Sequence, residues 1–187
     1  MAGIRGSIKG VVLRSRLAYV RDNMGDAAVQ SVLGRLPADE RQALGRVLPA
    51  SWYPFEIQER LDDAIAAQMG IGERIFRLLG EQSARDNLAT SHRAFVDAHD
   101  PHGLLQHAAS IHEAYYDTGH REYERLGEKS AVLRTFDCLS TSRAECLSNM
   151  GWHQAAIEIC GGLRPRVTDP LCRARGDLLC EYLCEWD

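Results

Sequence analysis

Two cysteines eight positions apart, Cys172 and Cys180, with Gly176 midway between them, constrain this chain more than any other stretch. The segment runs Thr168-Asp169-Pro170-Leu171-Cys172-Arg173-Ala174-Arg175-Gly176-Asp177-Leu178-Leu179-Cys180. A hairpin turning at the glycine places the two cysteines opposite each other. Opposed residues of an antiparallel pair have Cβ atoms roughly 4.5–5.5 Å apart. Two sulfurs, each about 2.3 Å from a zinc ion, fit that separation. Cys146 lies in a helical pattern upstream, and Asp169 stands three positions before Cys172. Cys146, Asp169, Cys172 and Cys180 together are the candidate metal ligands. Three thiolates and a carboxylate make the closed tetrahedral shell of a structural Zn2+, with no open position for catalysis. Spacing alone leaves open the alternative that these are buried cysteines acting as small hydrophobes. Cys138, Cys160 and Cys184 fit no ligand scheme as well.

The redox state of those thiols depends on compartment. No apolar run long enough to span a bilayer is present, and the first residues lack the apolar stretch of a signal peptide. A cytoplasmic location is expected, with the six cysteines reduced. A net charge of −4 gives no electrostatic case for nucleic acid. The 187 residues suffice for one domain with a sizeable core.

Hydrophobic spacing predicts helices first and a small sheet afterwards. Leu13, Leu17 and Val20 recur at helical spacing up to Gly25. Asp26 to Leu36, Ala38 to Val47, and a helix after Pro54 carrying Ile57, Leu61 and Ile65 follow. Residues 1–12 read as an edge strand or an arm. Met69-Gly70-Ile71-Gly72 is a break before a longer helix through Phe95 and Val96, and His102 to Tyr116 is helical again. Tyr123 to Leu126 and Ser130 to Phe136 then read as strand, turn, strand. Ser140 caps a helix of about 20 residues that stops at Gly161-Gly162, and residues 163–174 and 177–187 are two strands around Gly176. The expected architecture is one α+β domain, residues 1–187. Its helical half is 1–118, and its sheet-plus-helix half, with the cysteines, is 119–187.

The second half resembles the vinyl-4-reductase-type ligand-binding domain, which also serves as the sensor of phenol-responsive activators. The residues that carry the likeness are Asn149-Met150-Gly151-Trp152, Ala155-Ala156-Ile157-Glu158, Gly161-Gly162, and Asp169 through Asp177 with Cys180-Glu181-Tyr182. The resemblance implies zinc on three cysteines and a Glu. Cys146, Cys172 and Cys180 match in order and spacing, and Asp169 replaces the Glu. The first half looks like a set of myxobacterial paralogues of unknown function, through Leu36-Pro37, Trp52-Tyr53-Pro54 and Tyr116-Asp117-Thr118-Gly119. The wider superfamily includes haem-based nitric-oxide sensors and trafficking subunits. It implies helices on a twisted antiparallel sheet, a cavity between them, and often a homodimer.

The function expected is a sensory or regulatory domain that binds an apolar or aromatic small molecule and signals through a homodimer or a partner protein. Phe76, Phe95, His112, Tyr116 and Trp152 are candidate lining residues. A protein-interaction adaptor without a small ligand is the alternative, and a haem or gas sensor a third; no Tyr-x-Ser-x-Arg clamp for haem propionates is present. Catalysis is not expected, since G-x-S-x-G, P-loop, G-x-G-x-x-G and H-E-x-x-H motifs are missing.

Overall fold

Apolar residues at three- and four-residue spacing make the first two thirds of the chain helical. The computed structural model describes residues 6–187, so residues 1–5 of the expected arm lie outside the described residues. A short strand β1 (Ser7–Lys9) leads into α1 (Gly10–Gly34), followed by α2 (Ala38–Gly45). The two helices expected on either side of Gly25 are both present as halves of α1, which kinks at that residue because Gly25 takes the non-helical φ 79°, ψ 174° that glycine tolerates. The helix expected after Pro54 begins at Phe55, and the residues ahead of it form a strand, β2 (Trp52–Pro54), paired antiparallel with β1. Of its neighbouring aromatics only Phe55 joins the core. Trp52 stays exposed, with the Lys9 ammonium 3.9 Å over its ring.

Helices α3 (Phe55–Met69) and α4 (Arg74–Ala89) come next. α4 ends well before Phe95, because the His92 N–H turns back to the Asn87 carbonyl and a 3-10 turn takes Arg93–Phe95. The helix expected over 102–116 is divided at His107 into α5 (Pro101–Gln106) and α6 (Ala108–Tyr115). Asp100 caps the first of these by accepting from the Gly103 N–H.

The second part is a four-stranded antiparallel sheet with strand order β3-β4-β6-β5. Its strands are β3 (His120–Gly127), β4 (Ser130–Phe136), β5 (Arg166–Leu171) and β6 (Cys180–Glu185). Helix α7 (Arg143–Ile159) links β4 to β5. Its cap is Ser142 rather than Ser140: the Ser142 hydroxyl accepts from the Glu145 N–H at 3.1 Å. Along β6, Cys180, Tyr182 and Cys184 face inward, and Glu181 and Glu185 face outward, as a half-buried strand requires. The expected hairpin around Gly176 is shorter than its sequence pattern. β5 stops at Leu171, and residues 172–179 form a turn with Gly176 at φ 99°. Leu171 pairs with Glu181, so the same register sets Cys172 opposite Cys180 just beyond the ladder.

One packing seam fixes where everything else can sit. α4 and α7 meet through Gly80 and Gly151. A Cβ on Gly80 would stand 1.9 Å from the Ser148 carbonyl oxygen, and one on Gly151 would stand 2.0 Å from that of Arg77. The helices are therefore in backbone contact.

Candidate functional site

Three charged side chains stand where the helical spacing calls for apolar ones. Arg16 falls on the stripe of Leu13, Leu17 and Val20. Asp62 and Gln58 share the face of Leu61 and Ile65. Glu145 occupies the first turn of α7. Folding brings all four together in the interior. Arg16 and Asp62 are at most 2% exposed, and Gln58 is fully buried. The Arg16 guanidinium donates to Asp62 at 2.6 Å, to Glu145 at 3.2 Å and to the Ser148 hydroxyl at 3.4 Å. Glu145 also accepts from the Gln58 amide and the Tyr116 hydroxyl. Asn149 donates to Glu145 at 2.9 Å and accepts from Arg121 at 2.9 Å, which carries the network on to β3. Two guanidiniums thus offset two carboxylates. Burial pushes the Asp62 carboxyl up to about 6, against the opposing pull of Arg16. Burial alone would lower the Arg16 pKa, but Asp62 and Glu145 hold it raised.

A cleft opens over this cluster, between α1, α4, α6, α7 and β3. Counted to its open mouth it encloses about 500 Å³. Its inner part, open to a water-sized sphere, is about 40 Å³. Val12, Ala108, Ile111 and Trp152 form the apolar walls. His112 and Tyr115 supply buried polar groups with no partner among the described residues. The His112 Nε2–H donates to the Thr118 carbonyl at 3.2 Å, so in the neutral ring Nδ1 is a buried acceptor with nothing to accept from. The Tyr115 hydroxyl is likewise unpaired. Burial, then Arg121, lowers His112 to about 3.

The sign of that shift makes a prediction. An unfolded histidine titrates near 6.5, so below that pH the unfolded chain binds a proton that the folded ring refuses. Stability then falls as pH drops from about 6.5 toward 3. For His112 the loss is about 2 kcal/mol by pH 5. His153, lowered by burial and Arg121, adds to it. Asp62 acts oppositely, since a raised carboxyl recovers stability as it protonates below about 6. Urea denaturation at pH 7 and pH 5 should show a gap smaller by about 2 kcal/mol in His112→Phe than in the parent.

Of the five lining residues read from sequence, His112, Tyr116 and Trp152 border the cleft and two do not. Phe76 is buried on α4, where its carbonyl accepts from the Ser148 hydroxyl. Phe95 stacks on His107 at 4.1 Å, outside the cleft, because α4 ends before reaching it. Arg16, Asp62, Glu145, Arg121 and Asn149 were not anticipated. For Arg16 and Asp62 the signal is a charge on an apolar stripe.

The cysteines meet elsewhere in the same core. Cys146, Cys172 and Cys180 are buried, with ligand atoms all within 4.8 Å of one another. The Cys146 sulfur is 3.0 Å from that of Cys172 and 3.7 Å from that of Cys180. Asp169 does not join them. Arg143 and Arg175 hold its carboxylate, the latter at 2.8 Å, so the set lacks its fourth ligand.

No family model matches the chain, and no curated protein matches it. Solved structures do. An H-NOX protein from S. oneidensis in its Fe(II)NO state has a TM-score of 0.75 at 16% identity, covering 96% of this chain and 99% of that one. The H-NOX domain from Shewanella oneidensis in its Fe(II)CO state gives 0.74 at 17%, covering 96% and 98%. The unliganded Fe(II) H-NOX protein from K. algicida gives 0.73 at 13%, covering 96% of each. The chain therefore has the fold of these H-NOX proteins. This corrects the zinc expectation: the matched structures are iron and haem proteins, and the cysteine set here is one ligand short.

Haem needs an axial ligand, a slot for a flat macrocycle and partners for two carboxylates. His112 Nδ1 offers such a ligand. The inner space of about 40 Å³ has no slot for a macrocycle unless the surrounding walls are displaced. Both arginines lining the cleft are already engaged, Arg16 by Asp62 and Glu145, Arg121 by Thr135 and Asn149. Two propionates would add buried charge with no free cation to meet it. As arranged here, the residues do not fit haem.

Proposed function

We propose that the chain is a small-molecule-binding sensory domain, non-catalytic, whose ligand enters the cleft beneath α6. The observation that carries this is the pair of polar groups unpaired among the described residues, His112 Nδ1 and the Tyr115 hydroxyl, on side chains that line a cleft with apolar walls. A buried acceptor left unmade costs about 1–3 kcal/mol, which a ligand bearing one donor returns on binding. The charges below are mutually offset, so the cleft favours a neutral molecule with an apolar or aromatic body. The narrower likeness to the vinyl-4-reductase type supports the same use, as does the H-NOX fold. Output through a homodimer or a partner protein completes the proposal.

Thermal denaturation with a panel of single-ring aromatic alcohols and ketones tests it. A member present at 100 times its Kd should stabilise the fold by about 2.7 kcal/mol. Ala108→Leu, which fills the cleft, should abolish the shift, and His112→Phe should weaken the response to alcohols more than to ketones. A panel without any shift in the parent sinks the reading.

A haem or gas sensor is the second reading, favoured by the fold and by the free nitrogen of His112. The same experiment separates the two. Haem added to the purified protein should give no Soret band beyond that of free haem. A strong band abolished by His112→Phe would replace the first reading by the second.

A further inference from the structure

The three-cysteine cluster borders the charge network beneath the cleft, and its geometry is that of a reaction waiting for an oxidant. Cys146 on α7 is the central member, within reach of Cys172 past the end of β5 and of Cys180 at the start of β6. The Cys180 sulfur also accepts from the Arg173 backbone N–H at 3.4 Å. Beside Cys146 and Cys180 lies a cavity of about 20 Å³. About 10–15 Å³ suffices for one water molecule, so hydrogen peroxide, with two heavy atoms, is of the right scale. His112, Tyr116 and Arg121 line both this cavity and the cleft above it, which gives a small oxidant a way in.

We propose that Cys146, Cys172 and Cys180 are a peroxide-oxidisable thiol site, in which Cys146 closes a disulfide with one of its two neighbours. The Cys180 sulfur attacks one peroxide oxygen. An S–O bond forms, the O–O bond breaks, and the other oxygen leaves as water with the thiol proton. The product is a sulfenic acid. The Cys146 sulfur then attacks that sulfur. An S–S bond forms, the S–O bond breaks, and a second water leaves with the Cys146 proton. In sum, two thiols and one hydrogen peroxide give one disulfide and two waters; the two sulfurs lose two electrons and the peroxide gains them. Cys172 lies beside the new bond and can displace Cys180 by thiol–disulfide exchange, so either sulfur ends as the partner of Cys146. Both products tie α7 to the 172–180 turn. Disulfides of this kind in reducing compartments are transient and redox-sensing.

The test uses the full chain, reduced, desalted and treated with a small excess of hydrogen peroxide. Titration of the denatured protein should find free thiols falling from six to four, and the intact mass should fall by two hydrogens. Peptide mapping should join Cys146 to Cys172 or Cys180, and dithiothreitol should restore all six thiols. Cys146→Ser should form no bridge through residue 146 and should leave a sulfenic acid on Cys180 that dimedone traps, whereas Cys160→Ser should still form the bridge. Cys172→Ser keeps the reaction testable if Cys146→Ser does not fold, since it should give the Cys146–Cys180 bridge alone. Six thiols surviving peroxide, a bridge that omits Cys146, oxidation to sulfinic acid without a bridge, or a metal ion already holding the three sulfurs would each overturn the proposal.

Discussion

Replacing Arg16 with Met is expected to destabilise the fold by about 3–5 kcal/mol, the cost of leaving buried charge uncompensated. Arg16 is the one guanidinium bonded to both Asp62 and Glu145 among the described residues. Methionine keeps the apolar stem against Leu13 and Leu17 but offers no donor to either carboxylate. Asp62, already pushed up to about 6 with Arg16 in place, would rise further and take a proton near neutral pH. The variant should therefore regain stability at pH 5 relative to pH 7, opposite to the trend that His112 imposes. Arg16→Met with Asp62→Leu removes one stranded charge and should recover part of the loss. Urea denaturation of the single and double variants measures both. A loss below 1 kcal/mol for the single variant would show that the cluster is wet and screened rather than buried.

A methyl group at either glycine of the α4–α7 seam should cost about 3 kcal/mol or more. Overpacking a close-packed interior typically costs 1–3 kcal/mol, and more where the neighbour cannot yield. Here the neighbour is backbone. At Gly80→Ala the new carbon lands on the Ser148 carbonyl, and at Gly151→Ala on that of Arg77. Relief requires the helices to separate, which would disturb Ser148 and Asn149 and with them the floor of the cleft. Gly45→Ala is the control. Nothing lies within 4 Å of its added carbon, and alanine gains up to about 1 kcal/mol over glycine in a helix. Thermal melts of the three variants give the comparison; a Gly80→Ala protein as stable as Gly45→Ala would mean that the seam is looser than described.

Helix and strand order was legible because it depends on local spacing. The stripes of α1, α3 and α6, the alternation of β6 and the turn at Gly176 all read directly from residue type. What failed locally failed for a tertiary reason. Trp52–Pro54 is too short to announce a strand by alternation, yet pairing with β1 makes it one. The helix thought to reach Phe95 stops early because backbone groups near His92 fold back on it. The meeting of Cys146 with Cys172 and Cys180 followed from symmetry about the glycine and one helix laid over a sheet. Asp169 could not be judged that way, because Arg143 and Arg175 compete for it and only the fold brings Arg143 near. The charge cluster was legible in principle, as Arg16, Asp62 and Gln58 interrupt apolar stripes. Each alone reads as a stripe edge; their mutual neutralisation is a property of three elements at once.

Glu145 carries a consequence for how the chain is made. Its partner Arg16 lies 129 residues earlier, and Gln58 lies 87 earlier. During synthesis α1 and α3 emerge long before the carboxylate that completes their buried cluster. Until α7 arrives, Arg16 has Asp62 alone, and the glycine face of α4 has no helix against it. The helical segment that looks self-sufficient on paper is thus waiting for the second half of its own chain. Its last step of assembly is long-range and correspondingly slow.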